Sequence, residues 1–226
     1  LDKKILILLP IWKREKITNL CLKNLSELQK DINIDVLCIV SESWAKISAK
    51  KYGFKYVNAP NECLGTKMNI GVRFAMGLNF DYLMNLGSDD IITKELFEMY
   101  KPYFKDDTKI FGCTRLTFID SKSKEAKTFD YKVLIGAGRC IKKTILKEVL
   151  KSGELYGKVQ LGLDKSSINN LLRYSHTEIE NPFNTIYDIK GDVNIWNYEE
   201  LPGDYISFDS AVKGLDTKII DNILDL

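Results

Sequence analysis

The sequence has a single histidine, His176, among 226 residues, so a multi-histidine metal cage is excluded. Its five cysteines, Cys21, Cys38, Cys63, Cys113 and Cys140, are scattered, odd in number and without a C-x-x-C pair. They fit neither a zinc site nor a disulfide framework, and read as small buried hydrophobes in a reducing compartment. Long apolar runs are also missing. The longest near the start, Ile5–Leu9, is far short of the roughly 20 residues that span a bilayer. It stops at Pro10 with no small-residue cleavage site behind it, so neither a membrane span nor a signal peptide is expected, and the chain reads as cytoplasmic. Charge of one sign is lacking too: 33 basic against 31 acidic residues leave a formal +2, with no global footprint for nucleic acid or an anionic membrane.

What is present is an ordinary globular balance, 45% hydrophobic and 28% charged, enough for a sizeable core. No linker, repeat or low-complexity tract interrupts it, so residues 1–226 are expected to form one domain with unlike halves, 1–104 and 105–226. The first half alternates. Apolar runs at 5–9, 34–40, 54–57 and 82–86 predict strands, and helical periods near 15–30, 43–52 and 66–76 predict helices between them. This is an α/β, Rossmann-like pattern: a mostly parallel central sheet with flanking helices. Nucleotides bind such sheets beyond the carboxyl ends of the strands. The loops of interest are then 10–14, 41–44, 59–67 and 87–90. The second half is less regular, with helices expected at 93–103, 142–150 and 164–174 and strands at 109–119, 128–135, 185–189 and 194–198.

Gly87-Ser88-Asp89-Asp90 ends the fourth predicted strand. Adjacent carboxylates at a ligand edge repel unless a cation stands beside them, and magnesium or manganese takes such oxygen ligands together with substrate phosphates. Read alone, the string is equally a turn whose Asp caps the helix expected near Thr93.

The wider segment settles the emphasis. Asn61-Glu62-Cys63-Leu64-Gly65-Thr66-Lys67-Met68-Asn69-Ile70-Gly71, then Ala75, Gly77 and Gly87-Ser88-Asp89-Asp90, resembles the signature of family 2 glycosyltransferases, N-x-G…A-R-N-x-G…A-x-G followed by a strand and D-x-D-D. Asn69, Gly71, Ala75, Gly77, Asp89 and Asp90 fall on matching positions; Gly87 replaces the first Asp and Met68 the Arg. The resemblance covers about the first hundred residues. It implies a GT-A fold and transfer of a sugar from a nucleotide-diphosphate donor, a UDP-sugar above all, to an acceptor hydroxyl with Mn2+ or Mg2+. It further implies that the loops at Pro10 and Trp12 and at Ser41 and Glu42 hold the nucleobase and ribose. Asn61, Asn69, Ser88 and Asp89 complete the donor site, and Asp89 and Asp90 hold the metal. Lys67 is the candidate to neutralise the diphosphate.

An acidic residue opening a late helix is the family's base, and Asp164 matches it, with an N-cap of the helix at 165–174 as the competing role. Gly136-Ala137-Gly138-Arg139 would let Gly138 approach a sugar or phosphate and Arg139 contact it, or is an ordinary glycine turn. Asp188, with Lys190 beside it, is the candidate for a last metal ligand or diphosphate contact. Trp196, Tyr198 and Tyr205 are either a stacking surface or core. Alternatives are a sugar-phosphate nucleotidyltransferase, although the loop Leu9–Arg14 lacks the glycine-rich character of that chemistry, and a non-catalytic binding domain of the same fold. The acceptor stays open among glycan, lipid, protein and modified DNA base. Compact GT-A enzymes occur in viral as well as bacterial genomes, and the Lys-rich stretch 121–127 keeps DNA among the acceptors.

Overall fold

The computed structural model describes residues 2–181, 184–191 and 198–226. The first half follows the expected alternation: β1 (Ile5–Pro10), α1 (Glu15–Leu28), β2 (Ile34–Val40), α2 (Ser43–Lys51), β3 (Lys55–Asn58), α3 (Leu64–Ala75) and β4 (Tyr82–Asn85). Then come β5 (Asp90–Ile92), α4 (Lys94–Lys105), β6 (Ile110–Cys113), β7 (Arg115–Asp120), β8 (Glu125–Asp130), β9 (Cys140–Lys142), α5 (Lys143–Ser152) and α6 (Leu163–Leu171). The chain ends with β10 (Thr177–Ile179), β11 (Ile186–Lys190), β12 (Asp204–Ile206), α7 (Phe208–Val212) and α8 (Thr217–Leu224).

One sheet runs β10-β6-β9-β4-β1-β2-β3, and its β4-β1-β2-β3 part is parallel. β1 is apolar at every position because it is covered on both faces. Ile5, Ile7 and Leu9 join the core that holds Ile17, Leu20 and Cys21 of α1, while Leu6 and Leu8 join Met68 and Val72 of α3 in another. A Cβ at Gly71 would run into Ile39 and Leu8, so the glycine lets α3 lie close on the sheet. β9 enters antiparallel between β4 and β6, tying late chain to early chain.

The second sheet, β12-β8-β7-β11-β5, is smaller and mixed. The run 109–119, read as one strand, is divided: β6 belongs to the first sheet and β7 to the second, with Thr114 between them. The strand expected at 128–135 lies earlier, at Glu125–Asp130, where it pairs antiparallel with β7 through a tight turn at 121–124. Asp90 is neither a turn residue nor a helix cap. It opens β5, which crosses from the first sheet to the second and pairs antiparallel with β11, setting Asp90 opposite Asp188. The expected strand at 194–198, with Trp196, falls almost wholly outside the described residues. Tyr198 is buried and takes the core role; Tyr205 is exposed.

Candidate active site

The carboxyl ends of β1 and β4, the start of α3, the crossing at 87–90, β11, and the loops at 136–137 and 160–164 enclose one cleft. Its volume is about 380 Å³, in the range of small-molecule sites. Pro10, Trp12, Asn61, Lys67, Ser88, Asp89, Asp90, Asp164 and Asp188 all line it.

At its base, one group of three acids among the described residues, Asp89, Asp90 and Asp188, brings ligand atoms within 4.8 Å of one another. The β5–β11 register supplies Asp188, and Ile189 donates its N–H to the Asp89 carbonyl at 2.9 Å. Burial first, and then Asp89 and Asp188, drive the Asp90 carboxyl well above its ordinary pKa, although the Gly87 N–H donates to it at 2.6 Å. Asp188 is pushed up to about 6 by burial and by Asp89, against the pull of Lys190. A carboxyl whose folded pKa exceeds its unfolded value holds extra protons when folded. Asp188 therefore contributes less stability as pH rises from about 4 through about 6, and Asp90 acts in the same direction. A divalent cation relieves the same repulsion at neutral pH. The donors suit one, being all carboxylate oxygens, and Asp188 Oδ1 is buried without a hydrogen-bond partner.

Two cations already stand there, Lys190 buried and Arg14 partly so. Lys190 Nζ donates to Asp188 Oδ2 at 2.7 Å, and burial, which lowers its pKa, is outweighed by Asp188, Asp89 and Asp90, which raise it. Arg14 ion-pairs with Asp89 Oδ2 through Nη1 and donates to Ser88 Oγ through Nη2 at 3.2 Å. Sequence reasoning passed over Arg14, because nothing in Trp12-Lys13-Arg14-Glu15 marks it off from a solvated basic turn. Its signal is conformational: Lys13 and Arg14 are consecutive non-glycine residues in the left-handed region, φ 53° and 54°. Glu42 Oε2 accepts the Lys13 N–H at 2.7 Å and holds this turn.

Asp164 resolves the choice between cap and cleft. Helix α6 starts one residue earlier than expected, so Gly162, at φ 70°, occupies the N-cap position and Asp164 lies inside the first turn. Its carboxylate turns to the cleft and accepts the Gly136 N–H at 3.1 Å. A Cβ at Gly136 would fall inside that carboxylate. Gly136→Ala is therefore expected to displace Asp164; if that carboxylate is the base the resemblance implies, turnover falls at least about tenfold while nucleotide affinity stays near the parent value. Steady-state kinetics with parallel binding titrations check it; unchanged turnover would mean that the carboxylate position is immaterial.

Other expectations are corrected. Lys67 is fully buried, and Nζ donates to the Ile11 carbonyl and, at 3.2 Å each, to Ser41 Oγ and Asn61 Oδ1. Desolvation lowers its pKa to about 8. Its three hydrogen bonds clamp the loops after β1, β2 and β3, so the lysine that lines the cleft is already fully engaged by the protein. Asn69 is turned away from the cleft: its amide bonds the Tyr156 carbonyl at 2.8 Å and N–H at 3.0 Å. Arg139 is wholly buried behind the cleft, bonded to Ile135 and Leu134 carbonyls and to Ser167 Oγ at 2.7 Å. It anchors the 134–139 loop to α6 and touches no ligand space. Gly138, at φ 75°, packs against Ile186 and Tyr100 rather than lining the cleft, and serves as the turn. Ser41 and Glu42 stand beside the cleft, engaged with Lys67 and Lys13.

The sequence matches no protein-family profile and no curated protein. The architecture does match solved structures. S. aureus TarS superposes with a TM-score of 0.62 at 12% identity over 83% of this chain. The fold is of the GT-A type. A CMP:2-keto-3-deoxy-manno-octonic acid synthetase complexed with CTP superposes with a TM-score of 0.51 at 11% identity, over 79% of this chain and 90% of its own. This chain spans only 37% of the TarS chain. Among the described residues, no helix of the GT-A-type fold is long and apolar enough to cross a membrane.

Proposed function

We propose that the chain is a glycosyltransferase that moves a sugar from a nucleoside-diphosphate donor to an acceptor hydroxyl with inversion, Asp164 being the base. The observation that carries this is the placing of Asp164 in the same cleft as Asp89, Asp90 and Asp188, its carboxylate held by one N–H and otherwise open to that space. The nucleobase and ribose lie against Pro10, Trp12 and Asn61, beside Ser41 and Glu42, on loops that Lys67 ties together. Asn85 Oδ1 is buried on the cleft wall beside the Tyr156 hydroxyl and is an acceptor for a sugar hydroxyl. Asp164 takes the acceptor proton as its oxygen attacks the anomeric carbon, and the bond to the diphosphate breaks.

Charge balance supports a divalent cation, Mn2+ or Mg2+, held by Asp89, Asp90 and Asp188. These three acids face two cations, Arg14 and Lys190, and even with Asp90 protonated the base of the cleft is only neutral. A donor diphosphate would enter without net attraction unless a further positive charge accompanied it. When bound, that ion stabilises the negative charge on the departing diphosphate.

Asp164 also favours sugar transfer over nucleotidyl transfer to a sugar phosphate, in which the attacking phosphate oxygen is already ionised and needs no base. Incubation with Mn2+ and a panel of nucleotide sugars, with assay of released nucleoside diphosphate, tests the reading. Slow donor hydrolysis is expected for one or a few of them. Pyrophosphate release from a nucleoside triphosphate and a sugar phosphate, with no donor hydrolysis, would assign the alternative.

A further inference from the structure

We propose that Arg14 is an exchangeable guard of the cation site: it holds Asp89 while the cleft is empty and transfers to the donor's diphosphate when a divalent cation takes Asp89. This rests on the reading of the cleft as a nucleotide-sugar site and adds a residue and a sequence of events to it.

Arg14 bridges the two neighbours: its Nη1 ion-pairs with Asp89 Oδ2 and its Nη2 donates to Ser88 Oγ at 3.2 Å. Arg14 and Asp89 side chains are each 12% exposed, so the pair is largely shielded from water yet opens on the cleft. The guanidinium offsets the Asp89 charge and repels a second positive charge brought beside the same carboxylate. Arg14 and a cation at Asp89, Asp90 and Asp188 therefore compete for the negative charge of the same carboxylate.

The displaced guanidinium stays in reach of the ligand. It belongs to the loop after β1, whose Pro10 and Trp12 line the same cleft. Its planar fork suits two phosphate oxygens, which arrive with the cation and carry the charge Arg14 has just lost. The backbone is set for this task. Two successive left-handed residues turn the chain sharply before α1, and the Glu42 carboxylate fixes the turn through the Lys13 N–H, so only the side chain needs to move. Lys190 differs. It pairs with Asp188 from the same strand and is buried more deeply, with its side chain 6% exposed, so it remains in place.

Competition and transfer predict effects of opposite sign for one substitution. Arg14→Gln removes the competitor, so Mn2+ alone, followed by the loss of its free-ion electron paramagnetic resonance signal, is expected to bind on the order of fivefold tighter or more. The same variant loses the diphosphate contact, so UDP, GDP, CDP and ADP at saturating Mn2+ are expected to bind about tenfold or more weakly by calorimetry. Arg14→Lys, which keeps the charge but not the fork, should fall between on both measurements and covers the case in which Arg14→Gln fails to fold. Mn2+ affinity that is unchanged or reduced in both variants would overturn the competition, and unchanged diphosphate affinity would overturn the transfer. Should the parent bind Mn2+ more weakly than the variants yet take up none of the nucleotides, the guard would stand and the nucleotide-sugar reading would fall.

Discussion

Asp164→Asn is expected to lower turnover by roughly 10²–10⁴ and leave donor affinity unchanged, the usual cost of removing a general base. The substitution is clean for structural reasons. Asp164 lies inside the first turn of α6 rather than at its N-cap, so helix capping is not at stake. An asparagine oxygen can still accept the Gly136 N–H, which keeps the side chain in its present position. What it cannot do is take a proton from an acceptor hydroxyl. Single-turnover kinetics with the donor identified in the hydrolysis panel, beside a binding titration, separate the two quantities. Retention of most of the turnover would remove Asp164 from the mechanism and turn attention to Asp188, a carboxylate of the same cleft already committed to Lys190 and the acid cluster.

Asp89→Ala is expected to abolish metal-dependent nucleoside diphosphate binding, by more than about 100-fold, since loss even of a residue that only orients a metal ligand costs about 10–100-fold. The fold should survive. The Asp89 side chain contributes nothing to the apolar cores, and the backbone bond from Ile189 to the Asp89 carbonyl remains. The substitution leaves Arg14 without its carboxylate, so a modest loss of stability accompanies it, on the order of 1–3 kcal/mol for a hydrogen-bonded charged group. Calorimetry with Mn2+ and a nucleoside diphosphate, with a thermal melt as control, gives the answer. Equal affinities in variant and parent would take Asp89 out of the site.

Much of this protein was legible in its sequence. The apolar runs and helical periods of the first half determined a parallel α/β sheet, because strands buried on both faces must be apolar throughout and helices that cover them must carry one apolar stripe. The strand β1 and the helix α1 show both patterns directly. The sequence also placed Asp89 and Asp90 at the end of the fourth strand and Asp164 at the opening of a late helix, since local spacing is enough to locate a residue at an element boundary. Tertiary structure decided the rest. Whether Asp90 caps a helix or opens a strand depended on β11, almost a hundred residues away, which pairs with β5 and sets Asp188 against Asp90. That Lys67 ties three loops together depended on three acceptors contributed by separate segments. Asn69, Gly138 and Arg139 occupy suggestive positions in sequence and face away from the cleft in space, and Arg14, inconspicuous in sequence, faces into it. The physical reason is common to all of them. Periodicity reports which face of an element is apolar, but the partner that satisfies a buried charge or amide is chosen by chain segments far apart in sequence, and only the folded chain brings them together.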